Sequence, residues 1–256
     1  FGDGKLSERP PGEKPEVDDE EEDDVEPEDV RRGGEIAKLI NRIVGDGIAA
    51  PLAAAGFRRS GRTWRRTLDT GLVHVVGVQW SPRDGGVEGV FALSAGVYSR
   101  ELAESLALYK PTDSPKEHDC QVRLRAGSHG HRGWRVRVPG IAKPDSDIPG
   151  LLAGVFGWLD RRADSKAGAQ HEKATREARE ALTGHLFPAF ERLRSLRDLR
   201  DQLARSPDLY WAAHASLLVG DRVEARLLLE RALEKARGNP EFSKLVSGWG
   251  RKQELL

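Results

Sequence analysis

The sequence predicts an α+β protein: an antiparallel sheet of about five strands flanked by helices, with a C-terminal helical extension. Three observations carry that reading. Between Gly56 and Val97 (GFRRSGRTWRRTLDTGLVHVVGVQWSPRDGGVEGVFALSAGV) short alternating runs, rich in valine, are separated by glycine-containing turns. Upstream, Ile36, Leu39, Ile40, Ile43 and Val44 recur at helical spacing. Downstream of the Pro144 and Pro149 loop the apolar period is helical throughout.

The chain divides into residues 1–33, a disordered acidic tail, residues 34–165, the α+β core domain, and residues 166–256, a helical extension packed on that core. The tail carries Asp18 to Asp24 (DDEEEDD) among prolines and glycines, with too little apolar surface to offset the entropy of ordering it. Residues 1–29 hold 14 acidic and 3 basic side chains, a charge of −11, which leaves +11 on residues 30–256 of a formally neutral chain. The tail either solvates the protein or folds back electrostatically over the basic body.

After the first helix, Gly45 and Gly47 weaken the pattern, Pro51 suits the first turn of a second short helix, and Gly56 reads as its stop. The first strand, about Arg62 to Leu68, places Arg62, Trp64, Arg66 and Leu68 on one face and Thr63, Arg65 and Thr67 on the other. Asp69-Thr70-Gly71 is a tight turn. The second strand runs from Leu72 to Trp80, where Gly77 marks a bulge or close packing, and the third from about Val90 to Val97. A short helix near Glu101 to Leu108 precedes two further strands, Gln121 to Arg125 and Trp134 to Val138, the second with Arg135 and Arg137 on its wet face.

Leu151, Leu152, Val155, Phe156 and Leu159 form the first helical stripe beyond the sheet. Residues 170–205 form a charged helical stretch in which Gly184 and Pro188 predict a break. Leu209 to Val219 and Arg222 to Ala236 form a helix pair, with Ala213, Gly220, Ala225, Leu229 and Ala232 where a tetratricopeptide-like repeat places small and packing residues.

The order of helix, Gly56-Phe57, Gly61 to Arg66 (Gly-Arg-Thr-aromatic-Arg-Arg), Val76 to Gln79, the Phe91 strand, Cys120 to Arg123 and Trp134 resembles the bacterial domain of unknown function 4304 family. The resemblance covers roughly residues 35–200 and includes Leu186-Phe187-Pro188. It implies an α+β fold and brings no activity with it.

A length of 256 residues suits one buried core. No run approaches the roughly 18 apolar residues of a membrane span, and no secretory signal opens the chain, so a cytoplasmic protein with no membrane partner is expected. The single cysteine, Cys120, excludes an internal disulfide. Starting at Phe1 with no methionine, the sequence reads as a fragment or trimmed product, and its Ala, Arg, Gly, Asp and Val usage matches high-GC bacterial coding.

Arg58, Arg59, Arg62 and Arg66 around Trp64 are the candidate anion- or partner-binding residues; Arg65 alternates to the opposite face. With the indole as a stacking platform they suit phosphate or single strands, and as a solvated edge strand they suit none. His118, Cys120, His129 and His131 lack zinc-finger spacing, so no metal ligand is assigned. His74 has no partner that makes a recognisable nucleophile elbow, phosphate loop or dinucleotide fingerprint, so no catalytic residue and no cofactor is assigned either. The expectation is a non-catalytic bacterial interaction module, an adaptor or immunity-type protein with a protein partner. The alternatives are a nucleic-acid-binding protein whose basic body is screened by its tail, and an uncharacterised enzyme.

Overall fold

The computed structural model describes residues 28–83, 88–106, 110–126, 133–137 and 168–256, with side chains from Gly34 onward and not for Pro82 or Arg83. The acidic run and the stripe from Leu151 to Leu159 lie outside the described residues. The fold is α+β, as expected. Helix α1 (Glu28–Val44) starts ahead of the expected boundary at Gly34. A π-helical turn (Gly45–Ala49) joins it to α2 (Ala50–Ala54).

Gly56, at φ +82°, ends α2. Its N–H donates to Ala53 O and that of Phe57 to Leu52 O, which satisfies the last carbonyls in a left-handed cap. The sheet follows: β1 (Arg58–Ser60), β2 (Thr63–Thr67), β3 (Leu72–Arg83), β4 (Glu88–Ser99), β5 (Val122–Ala126) and β6 (Trp134–Arg137). All pairings are antiparallel, in the order β1-β2-β3-β4-β5, with β6 also on β4. Six strands are described where about five were expected. The extra one is β1, three exposed residues that form a hairpin with β2 about Gly61.

The two long central strands extend past their expected ends, because Pro82 and Gly89 pair across the ladder instead of starting a loop. β5 pairs with Val97 to Leu93 of β4, and β6 with Phe91 to Glu88. They therefore run end to end along one edge as two pieces of a single strand line.

Pleating gives the sheet two different faces. One carries Trp64, Val76, Phe91, Leu93, Ala95, Val97, Trp134 and Val136, all buried in one core cluster with the helices, and the buried His74 stacked on Phe190 of that cluster. Ile36 and Ile40 of α1 lie over Gly89, where a Cβ would come within 2.6 Å of Ile36. Helix α4 (residues 168–181) crosses β6, and Trp134 Nε1–H donates to Glu177 Oε2 at 3.1 Å.

A strap, residues 110–121, crosses the opposite face after α3 (Arg100–Ser105). Arg65 donates to Pro115 O and Ser114 O, Tyr98 Oη accepts from Thr112 N–H, and Gln79 donates to Glu117 Oε1. Two strand glycines admit it. A Cβ on Gly77 would lie 2.6 Å from Glu117 Oε2, and one on Gly96 2.5 Å from Cys120 Cβ. Close packing is thus the reason for Gly77.

The break expected at Gly184 and Pro188 falls later. Helix α4 passes through a second π-helical turn (Leu182–Leu186) into α5 (Phe187–Glu191), and the chain turns only at 192–195. Proline lacks the N–H and crowds the carbonyl four residues back, and a wider turn just upstream accommodates both defects. The same device precedes Pro51.

Four helices complete the chain: α6 (Leu196–Ala204), α7 (Leu209–Leu218), α8 (Arg222–Lys235) and α9 (Pro240–Lys252). Ser195, Asp221 and Asn239 cap three of their N-termini through side-chain oxygens. α7 is buried nearly all round, and its apolar residues join the core cluster of the sheet.

Candidate functional site

The candidate arginines separate once the sheet is formed. Trp64 is a core residue, paired with Val76 and buried, so it offers no stacking platform to a ligand. Arg59 lies over its ring at 5.0 Å, Arg62 over Trp80 at 4.9 Å and Arg66 over Phe57 at 5.0 Å. Arg58 pairs with Arg65 in the ladder and projects to the other face. Arg58, Arg59 and Arg62 remain exposed, and each planar guanidinium that covers a ring shields apolar surface while keeping its charge hydrated.

Arg66 is the most engaged of the set. Its Nη1 donates to Ala55 O at 3.2 Å, and its Nη2 faces Glu191 Oε1 at 3.2 Å and His74 Nδ1 at 3.1 Å. His74 is fully buried and stacked on Phe190 with ring centres 4.5 Å apart, and its Nε2 lies 2.8 Å from Leu193 O. Because the guanidinium can only donate, Nδ1 accepts and Nε2–H donates to the carbonyl, which is the neutral tautomer. Burial lowers the His74 pKa to about 4 against the pull of the Leu193 carbonyl, with the charge of Arg66 adding to the fall. Both ring nitrogens are occupied, so this histidine fastens β3 to the segment after α5 and has no free atom for a substrate proton.

Cys120 is buried, with Sγ 3.4 Å from Lys116 O, and burial pushes its thiol pKa up, with the Asp119 and Glu117 carboxylates adding to it. Such a thiol is a poor nucleophile and a poor ligand at neutral pH. His118 is exposed, while His129 and His131 lie outside the described residues. No metal-capable group of three or more His, Cys, Asp or Glu forms among the described residues.

A cleft of about 360 Å³ opens between the start of β5 and the helices α6 and α7, lined by Cys120, Gln121, Val122, Arg123, Gln202, Leu203, Ser206, Asp208 and Trp211. Sequence reasoning missed it, since its two walls are about 80 residues apart in the chain. It also missed what the end-to-end strands do with arginine. Arg123, Arg125, Arg135 and Arg137 fall on the strap side of the sheet, opposite Gly96, Ser94, Val90 and Glu88 of β4. Their alternation was visible in VRLRA and WRVR; their alignment was not.

Fold and sites together define an α+β protein with one helix-covered sheet face, one strapped face and a helical array closing the far edge. Residues 48–192, more than half of the chain, match the model of the family described as Domain of unknown function (DUF4304), and the chain belongs to that family. No curated protein and no solved structure matches it. No helix among the described residues is long and apolar enough to cross a membrane.

Proposed function

We propose that this is a non-catalytic bacterial interaction module, of adaptor or immunity type, that holds a protein partner on its C-terminal helices. One observation carries the reading. The large apolar side chains left exposed among the described residues are Val223 (74%), Leu227 (50%), Leu256 (47%) and Phe242 (37%), all within the last three helices and the residues that end the chain. Val223 and Leu227 are one helical turn apart on the outer side of α8, whose inner side buries Ala225, Leu228, Leu229 and Ala232.

The tetratricopeptide-like reading of α7 and α8 agrees with this placement. Ala213, Ala225, Leu229 and Ala232 are buried, and Gly220 takes φ +82° in the turn between the helices. In stacked helical repeats a face left to solvent is normally polar, so an apolar stripe on the outer side of α8 is a surface suited to being covered. An unpaired stripe bordered by Arg226, Glu230 and Arg231 fits a partner with an apolar centre and a mixed-charge rim.

The test is affinity capture from the source cells with wild type and Val223→Asp/Leu227→Asp in parallel. Both positions are exposed, so the variant keeps its fold, which far-UV circular dichroism verifies. A defined protein retained by wild type and lost by the variant supports the proposal; identical captures, or none, overturn it.

A further inference from the structure

The cleft between β5 and the helices α6 and α7 holds two opposite charges that do not neutralise each other. Arg123 and Asp208 both line it, yet they form no ion pair with one another, and neither has an ion-pair partner elsewhere among the described residues. Arg66, Arg100, Arg200 and Arg226, by contrast, each lie against a carboxylate.

Both groups are anchored from behind. Arg123 Nε–H donates to Cys120 O at 3.4 Å and its Nη2 donates to His118 O. A guanidinium has further N–H groups beyond these two, and Nη1 has no partner among the described residues. The backbone N–H of Asp208 donates to Ser206 Oγ at 3.0 Å, and Asp208 Oδ2 lies 3.2 Å from the same oxygen. Oδ1 keeps its acceptor sites, since this side chain does not cap α7. Gln202 adds an amide without a partner among the described residues, and the buried Val122 and Leu203 supply apolar lining.

We propose that this cleft binds a small zwitterion of α-amino-acid size, with its carboxylate on Arg123, its ammonium on Asp208 and its carbon chain against Val122 and Leu203. The volume of about 360 Å³ suits such a molecule; it is that of roughly a dozen waters in the liquid. One cation and one anion in a single cavity match a ligand that carries one of each, through charge-assisted hydrogen bonds at both ends. A plain anion would be repelled by Asp208 and a plain cation by Arg123. A nucleotide would bring several negative charges against one guanidinium and a carboxylate. The site does not involve the Val223 and Leu227 stripe and does not rest on the protein partner proposed for it.

The experiment titrates the 15N-labelled full chain with each of the twenty common L-amino acids up to about 10 mM, which detects millimolar dissociation constants. The expected result is that at least one gives saturable shifts at the Arg123 Nε–H and the Gln202 amide. Its N-acetyl derivative, which lacks the ammonium, and its α-amide, which lacks the carboxylate, should each bind about tenfold more weakly, the low end for losing a charged hydrogen bond. Asp208→Asn should weaken the parent amino acid by the same factor and leave the N-acetyl derivative no weaker than before. Arg123→Gln should do the same for the parent and the α-amide.

Asp208→Asn is isosteric at an exposed position, so its arm stands even where Arg123→Gln, which loses two bonds to backbone carbonyls, disturbs β5. Absence of any saturable shift at Arg123 and Gln202 overturns the proposal. So do derivatives that bind as tightly as the parent, or an Asp208→Asn variant that binds the parent unchanged.

Discussion

Arg66 and His74 stand directly opposite each other on β2 and β3, and Arg66 Nη2–H donates to His74 Nδ1 at 3.1 Å. Two groups of the same potential charge meet in a buried site because the imidazole is neutral there. This links the stability of the fold to pH. The folded value is about 4, against an ordinary 6.5, with Arg194 opposing and Glu191 favouring protonation alongside the causes already given.

Between those values the unfolded chain binds a proton that the native state does not, so the stabilisation is full above about pH 6.5 and is lost as pH falls toward 4. Urea midpoints measured from pH 7 to 4.5 should fall steadily. His74→Gln, whose amide can still donate to Leu193 O and accept from Arg66, should flatten that fall while lowering the midpoint at pH 7 only modestly. An unchanged slope would remove His74 from the account.

The strapped face predicts unequal costs for the same substitution. In Gly96→Ala the new methyl meets Cys120 Cβ at 2.5 Å and Val122 O at 2.6 Å, and neither can move without shifting backbone. In Gly77→Ala it meets the end of the Glu117 side chain, which can swing away. Gly96→Ala should therefore lose about 1–3 kcal/mol, the usual cost of overpacking, and Gly77→Ala clearly less. Lifting the strap should also speed the reaction of Cys120 with a thiol reagent in Gly96→Ala. Equal stability losses, with unchanged labelling, would show that the strap does not press on β4.

What could be read from the residues was whatever depends on short-range pattern. Alternation placed β2, β3 and β4, and the glycine after α2 stopped that helix where expected. β1 escaped notice because three exposed polar residues have no alternation to show. α9 was overlooked although Asn239-Pro240 is a well-formed start, a cap whose Oδ1 accepts from Phe242 N–H followed by proline in the first turn. Pro82 and Pro188 misled for one reason: each signals a break only where the local geometry cannot absorb it, and a ladder end and a π-helical turn both can. The Arg66 to His74 to Leu193 chain spans the fold, and no local pattern encodes a carbonyl 119 residues away.

The first π-helical turn predicts a role for Arg179. A wider turn leaves carbonyls without their usual helical donors, and Arg179 donates to Gly47 O at 3.2 Å and to Asp46 O. Arg179→Ala should cost about 1–2 kcal/mol, in the range for hydrogen bonds from a charged donor that is partly exposed. Arg179→Lys, with one point charge in place of a fork, should recover only part of it. Full recovery in the lysine variant, read from thermal or urea unfolding, would show that charge alone is needed.

The two buried histidines among the described residues, His74 and His214, should respond unequally to loss of their polar atoms. His214 is stacked on Trp249 with ring centres 3.7 Å apart, and Nδ1 lies 3.1 Å from Ser105 Oγ. Ser105 Oγ–H already donates to Leu102 O, so Nδ1–H is the donor and the hydroxyl keeps a partner without it. The other nitrogen, Nε2, is buried with no hydrogen-bond partner, and burial lowers the pKa to about 3. His214→Phe deletes one hydrogen bond and also an unsatisfied acceptor, while keeping a ring against Trp249. The expected change is within about 1 kcal/mol of zero. His74→Phe instead strands Leu193 O in the core, while Arg66 Nη2 keeps Glu191 Oε1, and should cost about 1–3 kcal/mol, the range for one buried polar group that loses its partner. Guanidinium unfolding of the two variants at pH 7 decides between this account and one in which both histidines matter only as rings, for which the two losses would be equal.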